Sequence, residues 1–202
     1  KTHVFVMEEG AFGGNASIMG LLNKGRVSPG NSIGTLQIEE DFIQGPSGCL
    51  EIEVNAKGES DLFKVGGKAD LAGTLRVIPK PGIYREGAKY KILEAKTVEG
   101  TFNNIENTAS DIASFGVGYN PDEVVLSVTK TMYQLPRGDT MSEFSRDLTN
   151  LMQDVQFREG TAAFRVIENI FALDNPKDLE KVYSQMAPVQ LGGMTHESYS
   201  NA

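Results

Sequence analysis

Residues 28–38 read Ser28-Pro29-Gly30-Asn31-Ser32-Ile33-Gly34-Thr35-Leu36-Gln37-Ile38, a cluster of turn formers that runs directly into an alternating segment. Pro presets φ, and Gly and Asn tolerate left-handed backbone, so residues 28–31 predict a tight bend. Beyond Gly34, Leu36 and Ile38 point one way while Thr35, Gln37 and Glu39 point the other, the pattern of a half-buried strand. So sharp a bend for so short a strand makes sense as the corner of something that recurs.

It does recur. Leu50, Ile52 and Val54 alternate with Glu51 and Glu53, Leu75 and Val77 with Thr74 and Arg76, and Tyr90 and Ile92 with Lys89 and Lys91. Val124, Leu126 and Val128 alternate with Val125 and Ser127. Turn words separate these runs: Pro46-Ser47-Gly48, Lys57-Gly58-Glu59-Ser60, Gly66-Gly67, Pro79-Lys80-Pro81-Gly82 and Asn120-Pro121-Asp122. Of the 22 glycines, 18 fall within residues 1–121, which places the corners there. Strands this short and this closely spaced suit a sandwich, a barrel or a β-solenoid. No strict repeat is visible, which counts against a solenoid. In its favour, Asn15–Gly20 followed by Gly25-Arg26-Val27 has the same rhythm as Ala69–Val77, and dense glycine corners let successive strands face different sheets.

After about residue 136 the period changes. Met141, Phe144, Leu148, Leu151, Met152 and Val155 fall on one helical face, with Thr140 and Glu143 spaced as a capping box. Ala163, Phe164, Ile167, Ile170 and Phe171 predict a second helix, and Asn175-Pro176 opens a third through Leu179, Val182, Tyr183 and Met186. The expected organisation is a β body over 1–136 and a helical segment over 137–202.

The chain has 202 residues, 40% of them apolar, enough to fill a core. A net charge of −8 argues against a nucleic-acid surface. No apolar run is long enough for a membrane-spanning helix. The chain starts Lys1-Thr2-His3 without a Met or signal peptide, so it reads as a piece of a longer protein whose targeting signals lie elsewhere. Cys49 is the one cysteine; it cannot form an internal disulfide and is expected to be a small buried hydrophobe.

No catalytic constellation emerges. The two histidines, His3 and His196, lie near opposite ends, and Gly45-Pro46-Ser47-Gly48-Cys49 lacks the spacing of a nucleophile elbow. Metal and phosphate motifs are missing, so no cofactor and no small-molecule substrate is expected. Glu39, Glu40, Asp41, Glu51 and Glu53 could line one groove, as in carbohydrate-active β-helices, but a solvated face is the simpler reading. Arg137-Gly138-Asp139 resembles integrin-binding tripeptides and marks a candidate receptor site, although Asp139-Thr140 also suits a helix start.

In order along the chain, these words resemble the C-terminal part of autotransporter passenger domains, the secreted segments of type V secretion in Gram-negative bacteria. Ser28–Leu36 resembles the family's S-P-G-N-S-I-G-T-L. Gly45–Val54 resembles G-S-x-L-x-I-E-x, Ser60–Val65 resembles S-D-x-L-x-V, and Ala69–Val77 resembles A-x-L-x-G-T-L-x-V. Tyr90–Leu93 with Gly100-Thr101-Phe102 resembles Y-x-I-L followed by G-x-F. The likeness covers roughly residues 10–130, and the helices are similar to the junction that precedes the family's outer-membrane barrel.

The resemblance implies a right-handed parallel β-helix over 1–136 with a hairpin-like cap, and a C-terminal α-helical segment over 137–202 that leads toward the barrel. It implies a place at the bacterial cell surface, in the outer membrane or secreted, and a role as the autochaperone that nucleates folding during secretion. The implied partner is the chain's own β-barrel. An adhesin presenting residues 137–139 to a host-cell receptor is the alternative. Cys49 departs from a family usually poor in cysteine.

Overall fold

Gly30 supplies the bend: its φ is +75°, and a Cβ there would sit on the carbonyl oxygen of Ser32. Asn31 keeps ordinary φ, so the left-handed geometry expected of both residues falls to Gly30 alone. The structure is a computed structural model that describes residues 1–82, 84–110 and 113–131. Those residues are mainly β, and no helix occurs among them. The helical segment expected over 137–202 lies outside the described residues.

The strands come in threes. The first rung is β1 (Val4–Val6), β2 (Ala11–Gly14) and β3 (Ser17–Ile18). The second is β4 (Leu21–Asn23), β5 (Arg26–Pro29) and β6 (Thr35–Ile38). The third is β7 (Phe42–Gln44), β8 (Cys49–Val54) and β9 (Leu62–Val65). The fourth is β10 (Lys68–Leu71), β11 (Thr74–Pro79) and β12 (Lys89–Glu94). Then follow β13 (Thr97–Gly100), β14 (Asn104–Asn107), β15 (Ala113–Tyr119) and β16 (Glu123–Thr131).

Each strand of a rung belongs to a different sheet and pairs with the strand three places on. The first sheet runs β1-β4-β7-β10-β13, the second β14-β11-β8-β5-β2, and the third β15-β16-β12-β9-β6-β3. All pairings in the first two sheets are parallel, as are those from β3 to β12 in the third. Parallel pairing in register stacks like on like: Phe12, Val27, Leu50, Leu75 and Ile105 form one column in the second sheet. Leu36, Phe63 and Leu93 form another in the third. Leu21, Phe42, Ala69 and Val98 supply the wall opposite. Val27, Leu36, Phe42, Leu50, Phe63, Leu75 and Leu93 are all fully buried, so the core is an axial column between three sheets.

The register also explains the missing repeat. Val4 faces Leu21, Leu21 faces Phe42, Phe42 faces Ala69 and Ala69 faces Val98, so the offset grows from 17 residues to 21, 27 and 29. The strands keep their register while the corners between them lengthen, and a fixed sequence period never arises.

The last rung breaks the pattern in the third sheet. β15 turns at 120–122, and β16 returns antiparallel to it and inserts against β12, also antiparallel. The β12–β16 pairing skips Ile92, a bulge that turns both Ile92 and Leu93 into the core. Phe115 of the hairpin packs edge-on to Tyr84 and Tyr90, with ring centroids 5.7 and 6.3 Å away. Val124, Leu126 and Val128, which alternate like the other strands, therefore belong to a closing hairpin and not to a further parallel rung.

Candidate functional site

A stack of parallel rungs leaves its first and last strands paired on one side only. Among the described residues β1, β2 and β3 each have a single strand neighbour, so their outer backbone N–H and C=O groups pair with no other described strand in any of the three sheets. At the other end β13 and β14 are edges, while the β15–β16 hairpin covers β12. Ile105 makes the asymmetry visible: it lies in the inward column above fully buried Leu75, yet is 39% exposed. An edge of this kind is a template on which another strand can pair.

The rungs are joined at their corners by buried polar groups. Asn23 Nδ2 donates to Gln44 Oε1 at 3.1 Å and to the Cys49 carbonyl at 3.2 Å, and Asn23 Oδ1 accepts from the Gly25 N–H at 3.1 Å. Gln44 Nε2 continues upward to the carbonyls of Ala72 and Thr74, at 2.9 and 3.0 Å. This ladder crosses three rungs. The sequence hides it, because Leu21-Leu22-Asn23 and Phe42-Ile43-Gln44 are apolar on both faces and give no period of two. Asp61, within the Ser60–Val65 word, is also fully buried, and nothing in that word announces its burial.

The five carboxylates that could have lined one groove are not brought together, in keeping with a solvated face. Glu39, Glu40 and Asp41 sit at the corner between β6 and β7, whereas Glu51 and Glu53 lie on β8. Each has its own partner. Glu39 accepts from Lys1 and Ser17, Glu40 meets the His3 ring at 2.9 Å, and Asp41 Oδ1 accepts the Lys68 N–H at 2.7 Å. Lys1 and Ser17 hold the Glu39 carboxyl below its ordinary range. Glu51 is 2.7 Å from Arg76, which also reaches Glu106 at 2.8 Å, and Glu53 is 2.8 Å from Lys80. Charges of opposite sign thus alternate up the outside of the second sheet and tie neighbouring strands.

Cys49 is half-buried on the outer side of β8, between Arg26 and Thr74 in the register, and not in the core as expected. The side chains alternate along β8, so with Leu50 inward Cys49 must face out. Burial still pushes its thiol up, away from reactivity. His3 is exposed beside Glu40, and His196 lies outside the described residues. Arg137, Gly138 and Asp139, the candidate receptor tripeptide, also lie outside them. Among the described residues no group of His, Cys, Asp and Glu is arranged to hold a metal ion.

No protein-family model matches the chain, and no curated protein matches it in sequence.

Proposed function

We propose that the chain is a structural and folding module, the membrane-proximal stem of an autotransporter passenger, whose rungs nucleate folding as the rest of the passenger emerges. The observation that carries this reading is the stack itself: in-register parallel rungs in three sheets, with a hairpin closing one sheet at the β12 side. A parallel strand connected through two others to its neighbour in the same sheet favours a right-handed crossover, so the coil is read as a right-handed β-helix. Each rung buries its inner face against the next and is unstable alone. A preformed rung removes most of the loop-closure cost for the following one, which lets a long passenger grow from a single nucleus.

On this reading the protein works at the bacterial surface or is secreted, its partner is its own outer-membrane barrel, and the segment needs neither cofactor nor substrate. The test is surface display from the full-length precursor in a Gram-negative host. Leu75→Asp should stall display and leave the passenger open to protease, while the exposed change Lys57→Asp should not. Equal display of both would overturn the reading. Adhesion through Arg137-Gly138-Asp139 is a second reading that rests on the tripeptide; host-cell attachment unchanged by Asp139→Glu would remove it.

A further inference from the structure

The second and third sheets carry polar outward columns: Glu51, Arg76 and Glu106 stand in register in one, Gln37, Lys64 and Glu94 in the other. The first sheet differs. Phe5, Leu22 and Ile43 stand in register on β1, β4 and β7, while their neighbours Val6, Leu21 and Phe42 point into the core. Phe5 is 68% exposed, Ile43 44%, and Met7, two residues beyond Phe5 on the same face, 65%. An open groove of about 250 Å³ lies along them and reaches Gly20, Glu40 and Asp41 at the preceding corner. Single apolar residues on a surface need no explanation; a column on three successive strands does.

The charges around the column narrow what can cover it. It ends at Asp70 and Glu99, which follow Ile43 in register, with Lys68 3.8 and 3.1 Å from them. The corner before these strands carries Lys1 and His3 beside Glu39, Glu40 and Asp41, and the corner after them carries Glu8 and Glu9 beside Lys24. Both rims are of mixed sign, so a polyanion or a polycation would meet like charge on either side. The same face of a second copy offers apolar surface for apolar surface and both signs at the rims.

We propose that this face is a self-association surface, on which a second copy of the chain docks about a two-fold axis crossing the strands at Leu22. The backbone fixes what then meets. The Val4 N–H donates to the Gly20 carbonyl at 2.9 Å and the Leu21 N–H to the Asp41 carbonyl at 3.1 Å, so His3, Gly20 and Asp41 form a row on one side of the column. The Lys24 N–H donates to the Val6 carbonyl and the Gly45 N–H to the Asn23 carbonyl, both at 2.8 Å, which sets Met7, Lys24 and Gly45 in a row on the other. The axis lays Phe5 on Ile43 of the other copy, Leu22 on Leu22 and His3 on Asp41. Met7 falls over Gly45, where the missing side chain leaves room. Lys24 alone meets its like, flanked by Glu8 and Glu9. An axis along the stack would instead set Asp70 and Glu99 against their own copies. Three rungs make a small contact, and the net charge of −8 on each copy opposes it. The dimer is therefore weak, with a Kd of roughly 10–100 µM.

Sedimentation equilibrium of the full chain from about 5 to about 500 µM tests this, with reductant present so that Cys49 forms no bridge between copies. The wild type should pass from monomer to dimer across that range. Phe5→Ser with Ile43→Ser should stay monomeric throughout, while Lys64→Ser, on the outer face of the third sheet, should change nothing. Gly45→Gln gives an independent readout. A Cβ at Gly45 meets nothing closer than 3.5 Å, so the fold accepts the side chain, but it fills the space that Met7 of the other copy takes. Association should weaken at least about tenfold, as the loss of a packed contact does. A chain that stays monomeric at the highest concentration would overturn the proposal and leave the face to a partner of another kind. So would a dimer that survives the Phe5 and Ile43 changes, which would place the contact at the strand edges, or one that Gly45→Gln leaves unmoved. Should the Phe5 and Ile43 variant fail to fold, Gly45→Gln decides.

Discussion

Ile52 lies between Glu51 and Glu53 on β8, inward and fully buried, in register with Val77 one rung on. Ile52→Asp would bury a charge with no partner, a change worth about 4 kcal/mol or more, a large part of a small domain's stability. Thermal unfolding should lose its cooperative transition; a variant that melts like the wild type would remove Ile52 from the core. Glycine can be tested in the same way. Gly30 and Gly58 both have positive φ, +75° and +89°, but an added Cβ is blocked by the Ser32 carbonyl at Gly30 and meets open space at Gly58. Gly58→Ala should cost about 1–2 kcal/mol from backbone strain alone, and Gly30→Ala clearly more. Equal midpoints in urea would show that the 28–34 loop relaxes around the extra carbon. Gln44→Leu probes the corner ladder: it leaves the Ala72 and Thr74 carbonyls without their side-chain donor and should cost about 2 kcal/mol.

Among the elements, β16 has the most distinctive position, because it joins the hairpin to the parallel stack. Lys91 of β12 stands 3.2 Å from Glu123 of β16, and that pairing, with Asn120, holds the Glu123 carboxyl below its ordinary range. A depressed carboxyl stabilises the fold above its unfolded value of 4.5 and gives up that contribution as pH falls below it. Glu123→Gln should therefore lower the melting temperature near neutral pH and converge with the wild type in acid. Lys91 is exposed and Glu123 partly so, and the effect should therefore also shrink in high salt. These elements differ in how plainly the sequence announces them. β6, β8 and β11 alternate cleanly because one face is wet, and their inward residues were legible one by one. β4 and β7 were not, since Leu22 and Ile43 make their outer face apolar as well. β16 alternates as cleanly as β8, but alternation fixes which face is buried and says nothing of direction, so the strand's own pattern does not give its antiparallel return. That successive strands turn into different sheets was legible through the glycine corners, while the growing offset between rungs erased any fixed repeat. The candidate edge is a property of stacking, and no single residue encodes it.

For the molecule as a whole, the two ends of the stack should respond differently to shortening. Residues 1–18 contribute two core side chains, Val6 and Ile18, and their loss would bare β4, β5 and β6 in place of β1, β2 and β3. The new edge resembles the old one, so a chain of residues 19–131 should keep a cooperative transition at somewhat lower stability, as expected when each rung contributes its own share. Residues 113–131 contribute Ala113, Val124, Leu126 and Val128 to the core, and place Phe115 against Tyr84 and Tyr90. At about 1.5–3 kcal/mol for each large side chain, their removal competes with the entire stability of a domain this size. It would also open the β12 edge beside residues that are otherwise sealed. A chain of residues 1–110 should lack a cooperative urea transition and associate through its bare strands, while 19–131 unfolds in one step. If instead the two shortened chains unfold alike, stability is spread evenly along the stack, and the hairpin has no special part in starting or holding the coil.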